Sequence, residues 1–213
     1  MTTVGILGGT GPAGRGVAVR LAAAGHDVVL GSRDAERAAQ VASDLESASI
    51  SGASNDDAAN CEIVVVATPW DSAVATVRAL RDALAGKVVI SMVNALAKEG
   101  REMLPLYPPR GSMAAQIAAA LPTSRVVGAF HHLPAGEMEN LESGLAADVV
   151  IFGDDAEART RVESLVNAMP GLRAVIAGTM SLASAVEAFT AVCISINIRH
   201  KAHSYVTLAG LTN

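Results

Sequence analysis

The sequence predicts an α/β protein built on a doubly wound, mostly parallel sheet, with a small helical tail at its C-terminal end. Short runs of β-branched residues alternate with helical stretches, which is typical of repeated strand–helix units. Residues 63–67 are continuously apolar, as in a parallel strand that is buried on both faces. The first strand runs directly into a glycine loop that opens a helix. Together these observations indicate a Rossmann-type fold.

Length and composition favour a single globular unit with a small appendage. The chain has 213 residues, of which 51% are hydrophobic and 17% charged. We expect a dinucleotide-binding domain over residues 1–178 and a helical segment over 179–213 that completes the substrate pocket. The net charge of −5 argues against nucleic acid as a partner.

The two cysteines point to a reducing compartment. Cys61 and Cys193 form neither a metal-ligand spacing nor a disulfide framework, and both lie in apolar surroundings. We therefore expect buried free thiols, no metal site and a cytoplasmic protein. The sequence shows no signal peptide, and it lacks a continuous apolar run of about 18 residues, so no membrane span is expected.

The first strand–loop–helix unit carries a dinucleotide fingerprint. Gly9, Gly11 and Gly14 fit the spacing G-x-G-x-x-G between an apolar strand and a helix. We expect Gly9 to allow the tight turn, Gly11 to let the backbone approach a pyrophosphate, and Gly14 to let the helix pack closely. The pyrophosphate would bind the free N–H groups of the helix N-terminus.

The end of the second strand selects between the two nicotinamide dinucleotides. An acidic residue is usual there when NAD is bound, but this chain has Ser32 and Arg33, with Arg37 one turn later. A hydroxyl and two guanidinium groups suit a 2′-phosphate, which indicates NADP(H). Asp34 and Glu36 are expected to complement the dipole of the next helix instead.

The following elements lead to the floor of the predicted crevice. They are a helix over 34–47, a short strand at Ile50, a capped helix over 55–59 and the buried strand over 63–67. Thr68 and Pro69 follow that strand and are expected near the cofactor, because carboxyl ends of parallel strands face the crevice. Trp70 is expected to pack beneath the next helix.

The second half supplies further strand ends. The predicted elements are a helix over 71–84, a strand over 87–92, a helix from Ser112 to 121, strands over 125–130 and 149–152, a helix over 155–169 and a strand over 172–175. About eight strands result. Residues 93–96 and 131–135 follow strands and should line the crevice. The stretch 97–111 is predicted as a loop, either a lid or a surface excursion.

The tail is predicted to be mostly helical from residue 182 to 211. Its apolar residues surround the helix almost completely between Val186 and Ile198. A helix of that kind must be buried. On a domain of this size, we expect it to be buried against a second subunit, which predicts a homodimer.

Five motifs occur in an order that resembles one family. They are Gly8-Gly9-Thr10-Gly11-Pro12-Ala13-Gly14, Gly31-Ser32-Arg33, Thr68-Pro69-Trp70, Phe130-His131-His132-Leu133-Pro134-Ala135 and Gly153-Asp154-Asp155. The set resembles the NADPH-dependent F420 reductases (F420H2:NADP oxidoreductases) from residue 1 to about residue 190. The resemblance implies hydride transfer between NADP(H) and the deazaflavin coenzyme F420.

The resemblance also implies roles for individual residues. It places Thr10, Gly11, Pro12 and Ala13 on the pyrophosphate, Ser32, Arg33 and Arg37 on the 2′-phosphate, and Thr68, Pro69, Ser72, Asn94, Leu96 and Ala135 near the cofactor. His131 and Leu133 would lie beside the two rings, with His131 as the candidate catalytic hydrogen-bond donor. An equally weighted alternative for His131, and the favoured one for His132, is a hydrogen bond to the backbone at a strand end. His132 and the run Asn94-Ala95-Leu96 depart from the family pattern.

Two other functions remain open from the sequence. One is an NADP-dependent reductase of an imine, a small carbonyl compound or a ferric chelate, although the short tail argues against a larger helical substrate domain. The other is a non-enzymatic protein that senses NADP(H). A second-substrate pocket would speak for an enzyme, and residues 131–135 are placed to form one.

Overall fold

A computed structural model of the protein describes residues 2–211. The strands in this part of the chain are β1 (Thr3–Leu7), β2 (Asp27–Ser32), β3 (Ile50–Ser54), β4 (Ile63–Val66), β5 (Val88–Ser91), β6 (Leu96–Glu99), β7 (Glu102–Pro105), β8 (Arg125–Gly128), β9 (Ala147–Gly153) and β10 (Leu172–Gly178). The helices are α1 (Pro12–Ala23), α2 (Ala35–Asp44), α3 (Asn55–Ala59), α4 (Trp70–Ala79), α5 (Arg81–Leu84), α6 (Met113–Ala120), α7 (Ala135–Glu139), α8 (Ala156–Ala168) and α9 (Ala183–His200).

Eight of these strands form one sheet in the order β10-β9-β8-β5-β4-β1-β2-β3. Neighbouring strands are parallel except at β8 and β9, which pair antiparallel. The run from β3 to β8 is the doubly wound order, in which the chain reverses direction between β1 and β4. The predicted Rossmann-type architecture is confirmed, and the crevice of such a sheet lies at that reversal.

The central strands are apolar on both faces because helices cover the sheet on both sides. Ile63 and Val65 of β4 pack in the cluster with α1 and α8, whereas Val64 and Val66 pack in the cluster with α4 and α6. All four residues are buried. The uninterrupted apolar run of the sequence therefore reflects two cores, one on each face.

The prediction of a loop over residues 97–111 is partly wrong. Its first half forms an antiparallel hairpin in which β6 pairs with β7, and Gly100 makes the turn with a φ of +58°. The hairpin is hydrogen-bonded to α9, since the N–H of Met103 donates to Ser195 Oγ at 2.9 Å. Gly100 and Pro105 favour a loop in sequence, but Pro is tolerated in an isolated two-stranded hairpin.

The predicted tail is helical over only part of its length. Helix α9 ends at His200, where Lys201 adopts a left-handed conformation with a φ of +51°. Residues 202–211 contain no helix, and the carbonyl of Val206 accepts a hydrogen bond from the N–H of Asp148 in β9 at 2.9 Å. The expectation of helix up to residue 211 is corrected accordingly.

Helix α9 has two different faces. On the inner face, the Glu187 carboxylate accepts hydrogen bonds from the N–H groups of Met113 and Ala114 at the start of α6. The outer face exposes large apolar side chains. The stretch Met180–His200 is long and apolar enough to cross a membrane by length and composition alone, a test that core helices also pass.

Candidate functional site

The glycine loop turns at Gly8 rather than at Gly9. Gly8 has a φ of +70°, and its N–H donates to Asn55 Oδ1 at 3.1 Å. Gly9 lies behind the loop, where its N–H donates to the carbonyls of Ile6 and Gly31. The structure therefore assigns the tight turn to Gly8 and does not place Gly9 on the cleft surface. Asn55, which supports the turn, was not among the predicted site residues.

The other two fingerprint glycines, Gly11 and Gly14, differ in the space around them: a Cβ atom would clash at Gly14 but not at Gly11. A Cβ atom on Gly14 would lie 2.8 Å from the Cα and O atoms of Gly9, so α1 can pack against the loop only without it. A Cβ atom on Gly11 would meet only the Gly8 oxygen, at 3.8 Å. The backbone at Gly11 is thus open to the cleft. Helix α1 begins at Pro12 with no side-chain cap and no acidic residue in its first turn, which leaves its N–H groups free for an anion.

A cleft of about 610 Å³ extends from this loop across the ends of β1, β2, β4 and β5. It brings together most of the predicted cofactor residues: Thr10, Gly11, Pro12, Ala13, Ser32, Arg33, Arg37, Thr68, Pro69, Ser72, Asn94 and Leu96. Residues from four distant parts of the sequence therefore share one wall.

The rim of this cleft at Ser32, Arg33 and Arg37 is cationic. The carboxylate of Asp34 caps α2 by accepting from the N–H of Arg37 at 3.0 Å, and the N–H of Asp34 donates to Ser32 Oγ at 3.1 Å. Neither Arg33 nor Arg37 is ion-paired with a carboxylate of residues 2–211. Both guanidinium groups are consequently available to a bound phosphate.

The floor of the cleft contains one unsatisfied polar group. Thr68 Oγ1 is buried and has no hydrogen-bond partner among the described residues, which is unusual for a buried hydroxyl. Trp70 also lines the cleft and is 40% exposed. The expectation that Trp70 packs beneath the next helix is therefore wrong. It is the first residue of α4, so its ring lies at the cleft edge.

A second cleft of about 500 Å³ adjoins the first, and the two share Ala13, Met92 and Asn94. The predicted residues His131, Leu133 and Ala135 line it. Its other wall is α9 and the segment after it: Thr190, Cys193, Ile194, Asn197, Ile198, Ala202, His203 and Ser204. The sequence predicts that residues 179–213 complete the substrate pocket, but it does not identify which of them face the cleft. Thr190 and Asn197 are seven residues apart in a largely apolar helix, a spacing that places them on one face.

The two adjacent histidines at this cleft have different environments. The His131 ring stacks on Phe152 with 5.3 Å between centroids, and both ring nitrogens are buried without a hydrogen-bond partner in residues 2–211. Burial, and secondarily His132, lowers the pKa of His131 to about 3, so its imidazole is neutral at neutral pH. A hydrogen bond from its side chain to a bound ring requires the imidazole to rotate. His132 matches the favoured alternative, since its Nε2 bonds the carbonyl of Val186 at 2.7 Å.

A buried arginine supports the loop that carries Ala135. Arg20 of α1 donates to the carbonyls of Glu137 and Asn140 at 2.7 and 3.1 Å. Because α7 starts at Ala135, these bonds fix the helix that follows the cleft wall. A charged residue in the core is justified here by several carbonyl acceptors.

Comparison with known proteins agrees with this geometry. Residues 3–95 match the model of a family described as NADP oxidoreductase, coenzyme F420-dependent. The chain is 33% identical over 209 residues to the F420-dependent NADP reductase of Methanocaldococcus jannaschii, covering 93% of each protein. It is 30% identical over 211 residues to the enzyme of the same name from Methanothermobacter marburgensis, again over 93% of each. A crystal structure from Arthrobacter sp. FB24, itself only provisionally assigned as an F420-dependent NADP reductase, superposes with a TM-score of 0.84 at 26% identity, over 96% of this chain and 97% of that one.

Proposed function

The chain belongs to the family of coenzyme F420-dependent NADP oxidoreductases, and from that premise we propose that it transfers a hydride between NADP(H) and the deazaflavin F420. The observation that carries the proposal is the meeting of two clefts at Ala13, Met92 and Asn94. One cleft has the form of a dinucleotide site with a cationic rim. The other is a separate space in which a second ring can lie against the nicotinamide.

The first cleft fits NADP(H). Thr10, Gly11, Pro12 and Ala13, at the free N-terminus of α1, would hold the pyrophosphate. Ser32, Arg33 and Arg37 would bind the 2′-phosphate, while Thr68, Pro69, Ser72 and Leu96 would contact the rest of the cofactor. Ala135, which the sequence places near the cofactor, lines the second cleft instead. The unsatisfied hydroxyl of Thr68 supports this assignment, because a bound ligand would supply its missing partner.

The second cleft fits a flat and mostly apolar ring. Leu133 and Ala135 on one side and Ile194 and Ile198 on the other would exclude water from the space between them. When bound there, the reduced nicotinamide would supply a hydride with its two electrons, and the oxidised deazaflavin would take it up together with one proton from solvent. The residues of this chain contribute by holding the two rings together. We propose that His131 donates a hydrogen bond to a bound ring after its imidazole rotates.

The direct test is to mix the purified protein with NADPH and oxidised F420 and to follow the deazaflavin absorbance. We expect bleaching that depends on both substrates. Tight NADPH binding without bleaching would contradict the proposal and favour an NADP(H) sensor. Parallel assays with an imine, a carbonyl compound and a ferric chelate separate the other reductase alternatives.

A larger side chain in the second cleft should slow hydride transfer to F420 without weakening the binding of NADPH. In Leu133→Trp the larger side chain would occupy the space proposed for the deazaflavin, so we expect the rate of F420 reduction to fall at least about a hundredfold. NADPH affinity, measured by calorimetry, should stay within about twofold of wild type. A parallel loss of both would show that Leu133 does not lie on a separate second-substrate wall.

We also propose that the outer face of α9 joins two copies of the chain in the cytoplasm. Phe189, Val192 and Ile196 are 45%, 48% and 42% exposed and follow one another on one side of the helix. Beside them a groove of about 300 Å³ runs between α9 and the hairpin β6–β7. A second copy would present the same stripe, and two such stripes can pack about a two-fold axis. Residues 179–213 would then serve both the pocket and the interface.

Phe189→Asp should convert this dimer to a monomer, because it places a charge within the apolar stripe. Light scattering after size-exclusion chromatography measures the mass. Leu141→Asp is the matched control, since Leu141 is a similarly exposed leucine away from α9. A monomeric wild type, or a dimer that survives Phe189→Asp, would contradict the proposed interface.

A further inference from the structure

Asn94 lies at the junction of the two clefts and forms part of both walls. Its side-chain amide is held from two directions. Nδ2 donates to the carbonyl of His131 at 3.4 Å, and Oδ1 accepts from Thr190 Oγ1 at 3.1 Å. The amide is therefore tied to the turn after β8 and to α9 at the point where two rings would meet.

Only one orientation of this amide satisfies its neighbours. The carbonyl of His131 can only accept, so the NH₂ end of Asn94 must face it. Thr190 Oγ1 then faces Asn94 Oδ1 at 3.1 Å, closer than the His131 carbonyl oxygen at 3.3 Å, which already accepts from Asn94 Nδ2. Thr190 is 5% exposed, so solvent does not compete for this hydroxyl. If the amide were flipped, Asn94 Oδ1 would face the carbonyl oxygen of His131, and neither atom could donate a hydrogen.

The carbonyl of His131 is itself held by an unusual backbone conformation. Phe130, which precedes it, is a buried non-glycine residue with a φ of +68°. Such a conformation is strained for a bulky residue and persists where the surrounding structure enforces it. Three elements thus converge on one amide: the end of β5, the turn after β8, and α9.

We propose that Thr190 is a positioning residue that fixes the Asn94 amide so that its second N–H is presented to an amide-type carbonyl oxygen of a bound ring. One Nδ2 hydrogen is used by His131, and the other has no acceptor among the described residues. Both the nicotinamide carboxamide and the deazaflavin ring carry such an oxygen. This assignment rests on the proposed function, which places both rings at the junction.

The test compares Thr190→Val, which keeps the shape and removes the hydroxyl, with Thr190→Ser, which keeps the hydroxyl. Calorimetry measures the affinity for NADPH and for 2′-phospho-ADP-ribose, a fragment that lacks the nicotinamide. If the acceptor is the carboxamide, Thr190→Val should bind NADPH about three- to tenfold more weakly and the fragment unchanged, and Thr190→Ser should bind both like wild type. If the acceptor is the deazaflavin, NADPH affinity should hold and the KM for F420 should rise by a similar factor.

Three outcomes would overturn the proposal, the last two of which indicate a packing effect. One is a Thr190→Val protein with unchanged NADPH affinity and unchanged KM for F420. The others are equal weakening of NADPH and the fragment, and a Thr190→Ser protein no better than Thr190→Val. The calorimetric arm needs no F420, so a failure of the proposed reductase activity remains distinguishable from a failure of this inference.

Discussion

The double variant Arg33→Ala/Arg37→Ala is expected to bind NADPH about a hundredfold more weakly, or worse, while NADH affinity changes by less than about twofold. A hydrogen bond between a guanidinium group and a phosphate contributes roughly 1.5–3 kcal/mol, and two are removed. NADH carries no 2′-phosphate, so it has no such bonds to lose. Titration of both cofactors by calorimetry measures the ratio.

The surroundings of these arginines make the result specific. Asp34 and Glu36 are the acidic neighbours in sequence. Asp34 is engaged as the cap of α2, and among residues 2–211 neither carboxylate is ion-paired with Arg33 or Arg37. The NADPH preference should also shrink as salt is added, because the rim is open to solvent. Arg81→Ala, on α5 and away from the cleft, is the matched control. Equal losses for NADPH and NADH would show that Arg33 and Arg37 do not bind the 2′-phosphate.

Much of the dinucleotide cleft could be predicted because local sequence determines it. A strand followed by Gly-rich turn and helix leaves few alternatives for residues 8–14, and in a parallel sheet the residues after each strand share one edge. Thr68 and Asn94 were located by that rule alone. The rule fixes positions to within a residue, however, which is why the turn was assigned to Gly9 although Gly8 has the positive φ.

The second cleft was harder to predict because its wall comes from tertiary packing. Which face of α9 turns inward depends on Glu187 reaching the N-terminus of α6 across 73 residues of sequence. Trp70 was misplaced for a related reason, since nothing in a helix start indicates on which side its side chain lies. The hairpin β6–β7 likewise depends on its contact with Ser195.

The His131→Phe variant is expected to be less sensitive to acid than the wild type. Burial lowers the pKa of His131 from its ordinary value of 6.5 to about 3. Between these two pH values the imidazole is protonated in the unfolded chain and neutral in the folded chain. This contribution to stability is complete above the unfolded pKa and is lost as pH falls from 6.5 towards 3. Between pH 6.5 and pH 4 it amounts to roughly 3 kcal/mol.

Glu187 acts in the opposite direction over much of the same range. Burial raises its pKa from 4.5 to about 7, against the two backbone N–H groups that lower it. The folded chain therefore keeps a proton that the unfolded chain loses, and the stability this provides decreases as pH rises from 4.5 to 7. In the wild type the contributions of His131 and Glu187 offset each other between about pH 4.5 and pH 6.5. The pH dependence of its free energy of unfolding therefore does not separate the two groups.

The difference between variant and wild type isolates the histidine. Urea unfolding at several pH values measures the free energy of unfolding of both proteins. The value for His131→Phe minus the value for the wild type should be roughly 3 kcal/mol larger at pH 4 than at pH 6.5. Phe preserves the stacking on Phe152 without a titrating group. His203→Ala, at an exposed histidine, is the control and should follow the wild type. A constant difference between His131→Phe and the wild type over this range would mean that His131 titrates normally, and hence that its ring is open to water and free to reach a bound substrate.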